Sequence, residues 1–201
     1  DAALRSGAGA GVAGPYLLTA GKLLPTKGFD LLLTSLADVG CSQPLVVAGE
    51  GPMRAALETQ ARRLGLPVTF LGWVSHERLL RLQRDAHAVL LPSAWHEPLS
   101  RLVLETMGLG TPVVAWARGG NPEMIQPGVT GWLVHDSDDV NDLATALSEL
   151  SSPDVRQRVA RAGRERVVTC YTPDVVYPAM AAVYASAIEA ATLGGPTTHA
   201  P

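Results

Sequence analysis

Two glutamates, Glu97 and Glu105, stand eight residues apart in the stretch Pro92-Ser93-Ala94-Trp95-His96-Glu97-Pro98-Leu99-Ser100-Arg101-Leu102-Val103-Leu104-Glu105. The first falls in a loop and the second inside the helix expected to follow it. Eight helical residues rise about 12 Å, which bounds their axial separation. A ligand with a polyol at each end and a diphosphate between, such as a nucleotide sugar, has that length. Helical side chains lean toward the N-terminus, so Glu105 is placed to grip a ribose diol while Glu97 faces sugar hydroxyls. The free amides of Leu99, Ser100 and Arg101 would point at the phosphates. The competing reading makes both glutamates solvent-facing charges on an amphipathic helix.

A second set is cationic. In Gly21-Lys22-Leu23-Leu24-Pro25-Thr26-Lys27-Gly28, two lysines flanked by glycines stand at an expected helix start. Ammonium groups and backbone donors there suit a phosphate; lysines on a solvated loop are the alternative. Gly49-Glu50-Gly51-Pro52 lets backbone approach a ligand closely, with Pro52 suited to a first helical position, or it is an ordinary tight turn. Arg118-Gly119-Gly120-Asn121-Pro122-Glu123 offers the same close approach, or a plain turn with Asn121 as N-cap.

These segments need a frame, and the rest of the chain supplies one. Short apolar runs at Pro15–Ala20, Pro44–Ala48, Val68–Leu71, Ala88–Leu91 and Pro112–Ala115 have strand length and Gly or Pro boundaries. Helical spacing follows each of them: Lys27–Leu36, Met53–Leu64, Ser75–Arg84 with Ser75 as N-cap, Leu99–Leu109 and Pro122–Ile125. Such alternation predicts an α/β, Rossmann-like parallel sheet of five or six strands with helices on both faces. Ligands of such sheets bind at the carboxyl ends of the strands, where every segment above begins. The last third reads as helices around Leu143-Leu147-Leu150, Asp154–Val167 and Pro173–Ala191. Residues 1–14 read as a flexible lead-in, 15–192 as one nucleotide-sugar-binding domain and 193–201 as a disordered tail.

In this order the motifs resemble the C-terminal donor domain of the family 4, GT-B fold, retaining glycosyltransferases. The resemblance is carried by Gly21-Lys22 with Lys27-Gly28, Gly49-Glu50-Gly51-Pro52, Val68-Thr69-Phe70-Leu71-Gly72-Trp73-Val74 and Pro92-Ser93. It continues through Glu97 and Glu105, Gly110-Thr111-Pro112-Val113-Val114-Ala115, Gly119-Gly120 with Glu123, and Gly128-Val129-Thr130-Gly131-Trp132-Leu133-Val134. It implies transfer of a hexose from a nucleoside diphosphate sugar, with the acceptor held by an N-terminal domain missing from this chain. Lys22 and Lys27 would bind the diphosphate, Glu105 the ribose, and Glu97 the donor sugar near its anomeric centre. Trp73 and Val74 would contact the base with Leu79 lining that pocket, and Ser93 would lie on the wall beneath the donor. The catalytic set is Glu97, Lys27 and Lys22, with no protein nucleophile assigned. Gly21, Gly49, Gly51, Leu99, Ser100 and Arg101 complete the binding set. The resemblance implies no cofactor and no obligatory metal. Pro98-Leu99-Ser100 departs from the family's usual Gly-Phe-Gly, and Pro98 removes one N–H donor. Arg101, where an aliphatic residue is usual, adds a phosphate contact or points to solvent. The rival readings are a stand-alone nucleotide-sugar-binding module and a nucleotide-sugar epimerase domain.

Composition bounds the rest. Apolar residues are 47%, charged residues 17% and the net charge is −3, so the whole chain is not drawn to nucleic acid. Cys41 and Cys170 are expected to be free, buried or half-buried thiols of a reducing, cytoplasmic compartment. No initiator Met opens the chain, as expected of a piece of a longer protein. No apolar run is expected to reach the roughly 18 residues that span a bilayer. Asp136-Ser137-Asp138 has the spacing of a metal carboxylate pair, but N-capping is the better reading. His76, His87 and His135 show no spacing of a triad or zinc site. His96 either lines the sugar pocket or is structural. Met180, Val183, Tyr184 and Ile188 make an amphipathic face, more often core than membrane-binding. In the family this last helix reaches back to the N-terminal domain, which leaves part of that face bare in an isolated piece. Peripheral membrane association of a full-length enzyme stays open.

Overall fold

The computed structural model describes residues 14–135 and 140–193. Six strands, β1 (Leu17–Ala20), β2 (Leu45–Ala48), β3 (Val68–Gly72), β4 (Ala88–Leu91), β5 (Val113–Trp116) and β6 (Trp132–Val134), form one sheet. Its order is β3-β2-β1-β4-β5-β6, and every pair is parallel. Between strands run α1 (Phe29–Asp38), α2 (Arg54–Arg63), α3 (His76–Asp85), α4 (Arg101–Gly108) and α5 (Asn121–Met124). After β6 come α6 (Asn141–Ser151), α7 (Pro153–Cys170) and α8 (Pro173–Leu193). The expected Rossmann-like α/β layout is the one adopted.

The two faces of the sheet are written in the period of its strands. Leu17, Val47 and Leu90 join Phe29, Leu32 and Leu36 of α1 and Leu57 of α2 in one buried cluster. Their neighbours Leu18, Val46 and Val89 join Leu82 of α3 in the other, with Leu102 of α4 packed against it. Alternate side chains point to opposite faces, so four-residue strands serve both layers. Burying each such aliphatic side chain contributes about 1.5–3 kcal/mol. The strand order reverses at β1, which pairs with both β2 and β4. Crossovers therefore leave in opposite directions there, and a crevice opens at the carboxyl ends.

Several helix starts differ from expectation, each for a local reason. A 3-10 turn, Pro25–Lys27, precedes α1, and Gly28 at φ 68 separates the two. Lys27 therefore ends a turn rather than beginning the helix. A Cβ on Gly28 would lie 2.2 Å from the Pro92 carbonyl oxygen, so this position admits only glycine. Helix α2 starts at Arg54 with Met53 as N-cap, leaving Pro52 in the preceding turn. Helix α4 starts at Arg101 because Ser100 is extended and its hydroxyl accepts from the Val103 amide. Asn121 is not an N-cap: Gly120 holds that place, and Asn121 Nδ2 donates to the Trp116 carbonyl at 2.9 Å. Ser75 caps α3 as expected, accepting from the Arg78 amide.

The chain divides into two compact units, one through Glu165 and one from Arg166, with the boundary inside α7. In the second unit, α8 leaves Tyr177, Met180, Val183, Tyr184 and Ile188 exposed, where the amphipathic spacing had suggested core. Pro173–Thr192 is also long and apolar enough, by length and composition, to cross a membrane. Its many alanines between Asp174 and Glu189 hide this in a search for unbroken runs of large apolar residues. Cys41 is half-buried and Cys170 is exposed, and both are free; burial pushes the Cys41 thiol up. The lead-in, the tail and Asp136-Ser137-Asp138 lie outside the described residues apart from Gly14, a bend, and Leu193, the last residue of α8, while the N-cap position of α6 is Val140.

Candidate functional site

The carboxyl ends of β1 and β2 finish in Ala20 and Ala48, whose small side chains floor a cleft of about 510 Å³. Gly21 and Lys22 border it after β1, and Gly49 and Glu50 after β2. Trp73, Val74 and Leu79 close one end, and Arg101, Leu102 and Glu105 of α4 form a wall. A second compartment of about 270 Å³ adjoins it, lined by Lys27, Phe29, Pro92, Ser93, Glu97 and Ser100 among others. Ala20, Gly21, Lys22, Arg101 and Leu102 border both, so the two are one groove with cations at its waist. Glu105 and Lys27, which opposite sides of the molecule would have separated, lie along the same groove.

Each carboxylate has a partner from another element. Lys27 Nζ donates to Glu97 Oε1, with both side chains partly exposed. Glu105 Oε1 meets His76 Nε2 at 3.0 Å, joining α4 to the first residue of α3. Arg54 holds Glu50, with Nη1 donating to Glu50 Oε1 at 2.8 Å, while its Nε donates to Glu58 and its Nη2 to the Phe70 carbonyl. Arg101 and Lys22 are exposed, and among the described residues neither has an ion-pair partner.

The glycines also let loops pack closely on one another. A Cβ on Gly49 would lie 1.9 Å from the Gly21 carbonyl oxygen, and one on Gly51 would meet the Leu23 backbone at 2.4 Å. They let the first two crossover loops pack on each other; Gly49 borders the cleft and Gly51 does not. Gly119 and Gly120 likewise lie against the backbone of Glu97 and Pro98, and the Gly120 amide donates to the Glu97 carbonyl at 2.8 Å. That double glycine fixes the loop carrying Glu97.

Other expected positions spread more widely. Ser93 is buried on the wall of the smaller compartment, its hydroxyl donating to the Trp95 carbonyl at 3.3 Å. Leu99 is 47% exposed and borders neither compartment, and His96 is exposed. The start of α4 at Arg101 transfers the free first-turn amides to Arg101 and Leu102, since Ser100 engages that of Val103. Trp73 is 76% exposed at the rim, while Val74 and Leu79 pack on the core. Sequence reasoning missed Glu50 and Leu102 as lining residues and His76 as the partner of Glu105. Position at the end of β2 and in the first turn of α4 could have found the first two; nothing in linear spacing signals the third.

Comparison with known proteins gives this groove its family. The profile of "Glycosyl transferases group 1" matches residues 5–166. Glycogen synthase of Mycobacterium tuberculosis is 35% identical over 176 residues, which is 85% of this chain and 42% of the relative. Sucrose-phosphate synthase from Thermosynechococcus elongatus superposes with TM-score 0.74 at 30% identity, covering 88% of this chain and 46% of that one. Anabaena HepE, in complex with UDP-glucose, superposes with TM-score 0.73 at 25% identity, covering 88% of this chain and 50% of that one. The chain thus spans about half, or less, of the proteins it matches. With that profile covering most of its residues, the chain belongs to the glycosyl transferases group 1 family, on a GT-B type Rossmann-like domain.

Proposed function

We propose that this chain is the donor-binding domain of a retaining, family 4 glycosyltransferase, which transfers a hexose from a nucleoside diphosphate sugar to an acceptor held outside these residues. One observation carries the reading: a single groove has at its waist two cations, Lys22 and Arg101, that lack an ion-pair partner among the described residues, with Glu105 lining the larger compartment and Glu97 the smaller. The base would lie against Val74 and Leu79 under Trp73, and Glu105 would take the ribose diol. The diphosphate would sit at the waist between Lys22, Arg101 and the Arg101 and Leu102 amides, with Lys27 within reach. The sugar would enter the smaller compartment toward Glu97. The UDP-glucose bound by HepE supports this class of donor; the sequence resemblance alone supports retention and the hexose.

The chemistry follows from charge. As the glycosidic bond breaks, negative charge collects on the leaving diphosphate, and preorganised cations and amides stabilise it more than they stabilise the bound donor. Lys22, Lys27 and Arg101 supply that charge from side chains, so binding is expected to persist in excess chelator. Lys27 must also exchange its ion pair with Glu97 for a phosphate, which frees Glu97 for the sugar. The test is thermal unfolding against a panel of nucleoside diphosphates and their sugars, since a ligand of the folded state raises its stability with concentration. One base and sugar should raise Tm progressively and no other class of metabolite should. A panel that leaves Tm unchanged at millimolar concentration overturns the assignment.

A further inference from the structure

We infer that His76 is a positioning residue: it holds the Glu105 carboxylate toward the ribose end of the groove and away from the cations that meet the diphosphate. The inference rests on the donor reading proposed above. His76 Nε2 lies 3.0 Å from Glu105 Oε1. A carboxylate only accepts, so Nε2 carries the hydrogen. Glu105 lines the groove, whereas His76 is not among its lining residues and its side chain is 60% exposed. Its contact with Glu105 is the route by which His76 is inferred to act on a ligand.

The contact is built into the packing. His76 follows the N-cap Ser75, so the start of α3 fixes its place. Helices α3 and α4 are clamped by a buried hydrogen bond in which Gln83 Nε2 donates to Thr106 Oγ1 at 3.2 Å, one residue beyond Glu105. Without His76, Glu105 has an obvious alternative. Arg101 stands one helical turn earlier on α4, the spacing at which helical ion pairs form, and Lys22 borders the same cleft. Either pairing would draw the carboxylate from the ribose and cancel a cation the diphosphate needs. In the structure Glu105 takes His76 instead, and among the described residues Arg101 keeps no ion-pair partner.

The test separates positioning from mere folding by using the ribose itself. Calorimetric titrations of wild type, His76→Ala, His76→Gln and Glu105→Ala would use UDP, ADP and GDP, each paired with its 2′-deoxy counterpart. Wild type should prefer one ribonucleotide to its deoxy form. His76→Ala should weaken that ribonucleotide about fivefold to tenfold, within the range of one ordinary hydrogen bond, and its deoxy form less than twofold. His76→Gln, which keeps a donor at similar reach, should stay within twofold of wild type. His76→Ala combined with Glu105→Ala should be no worse than Glu105→Ala alone. Equal weakening of both forms by His76→Ala, or none of either, overturns the role of His76. A wild-type chain that binds none of the six nucleotides instead overturns the donor reading, and this role with it.

Discussion

Glu105 is the residue on which the site can be tested most directly. Its side chain is largely covered, at 23% exposure, and its oxygens are acceptors only. Charge-assisted hydrogen bonds to a ribose diol are worth more than neutral ones, so Glu105→Ala should weaken nucleotide binding by about 1.5–3 kcal/mol. Calorimetry would read that as a loss of about tenfold to a hundredfold; unchanged affinity removes Glu105 from the site. The Lys27–Glu97 pair makes an asymmetric prediction. Lys27→Ala removes a cation and leaves the Glu97 charge bare beside the phosphates, whereas Glu97→Gln releases Lys27 toward them. Affinity for a nucleoside diphosphate should therefore fall in the first variant and hold or rise in the second, with both effects shrinking as salt is raised. Equal losses in both would place the pair outside the phosphate site. At this scale the sequence singled out Lys22, Lys27, Glu97 and Glu105, and the structure brings all four to the lining of one groove. The sequence was silent on His76, because a partner 29 residues away is set by helix packing rather than by spacing.

Elements hold those residues in register, and two ties can be tested. Tyr16, just before β1, is buried and its hydroxyl donates to the Leu82 carbonyl in α3 at 2.8 Å. Burial, helped by the nearby Asp85 carboxylate, pushes its pKa from 10.0 up to about 12. The folded pKa is the raised one, so this stabilisation is complete below pH 10 and is lost as pH rises from 10 to 12. Two pH units correspond to up to about 2–3 kcal/mol. Tyr16→Phe should lack that alkaline loss in urea unfolding, while costing about 1 kcal/mol at neutral pH; identical pH profiles would dissociate Tyr16 from it. The second tie is Gly120, whose φ of −81 any residue adopts but whose Cβ would lie 1.9 Å from the Pro98 carbonyl oxygen. Gly120→Ala must push that loop away, at about 1–3 kcal/mol. Because the displaced loop carries Glu97, sugar-dependent binding should fall more than binding of the bare nucleotide. A variant that binds both as wild type does would show the loop to be dispensable. Strand and helix identities were legible because short apolar runs bounded by Gly or Pro, and a helical period of 3.6, are local properties. The roles of the double glycine and of Gly51 were not, since close approach to a ligand and close approach to a neighbouring loop demand the same missing side chain.

At the scale of the whole molecule, the parallel sheet was legible because strand–helix alternation leaves few topologies. The environment of α8 was not. Spacing at Met180, Val183, Tyr184 and Ile188 identifies an apolar face, but periodicity cannot say which surface covers it, and in the structure those side chains are exposed. The same limit applies to catalysis. The groove has a floor from β1 and β2 and a wall from α4, and the roles proposed for its named residues all concern a donor, none an acceptor. The glycogen synthase relative extends well beyond the matched region, which is 42% of its length. Donor affinity and transfer should therefore separate. The isolated chain is expected to bind its nucleotide sugar with an affinity that depends on Glu105, yet to yield no glycosylated product and no release of nucleoside diphosphate above buffer over hours. Chromatography of the incubated donor, with and without candidate polyol acceptors, checks both. Turnover that is abolished by Glu97→Gln would mean that these residues carry an acceptor site of their own, and the division of labour proposed for the donor domain would fall.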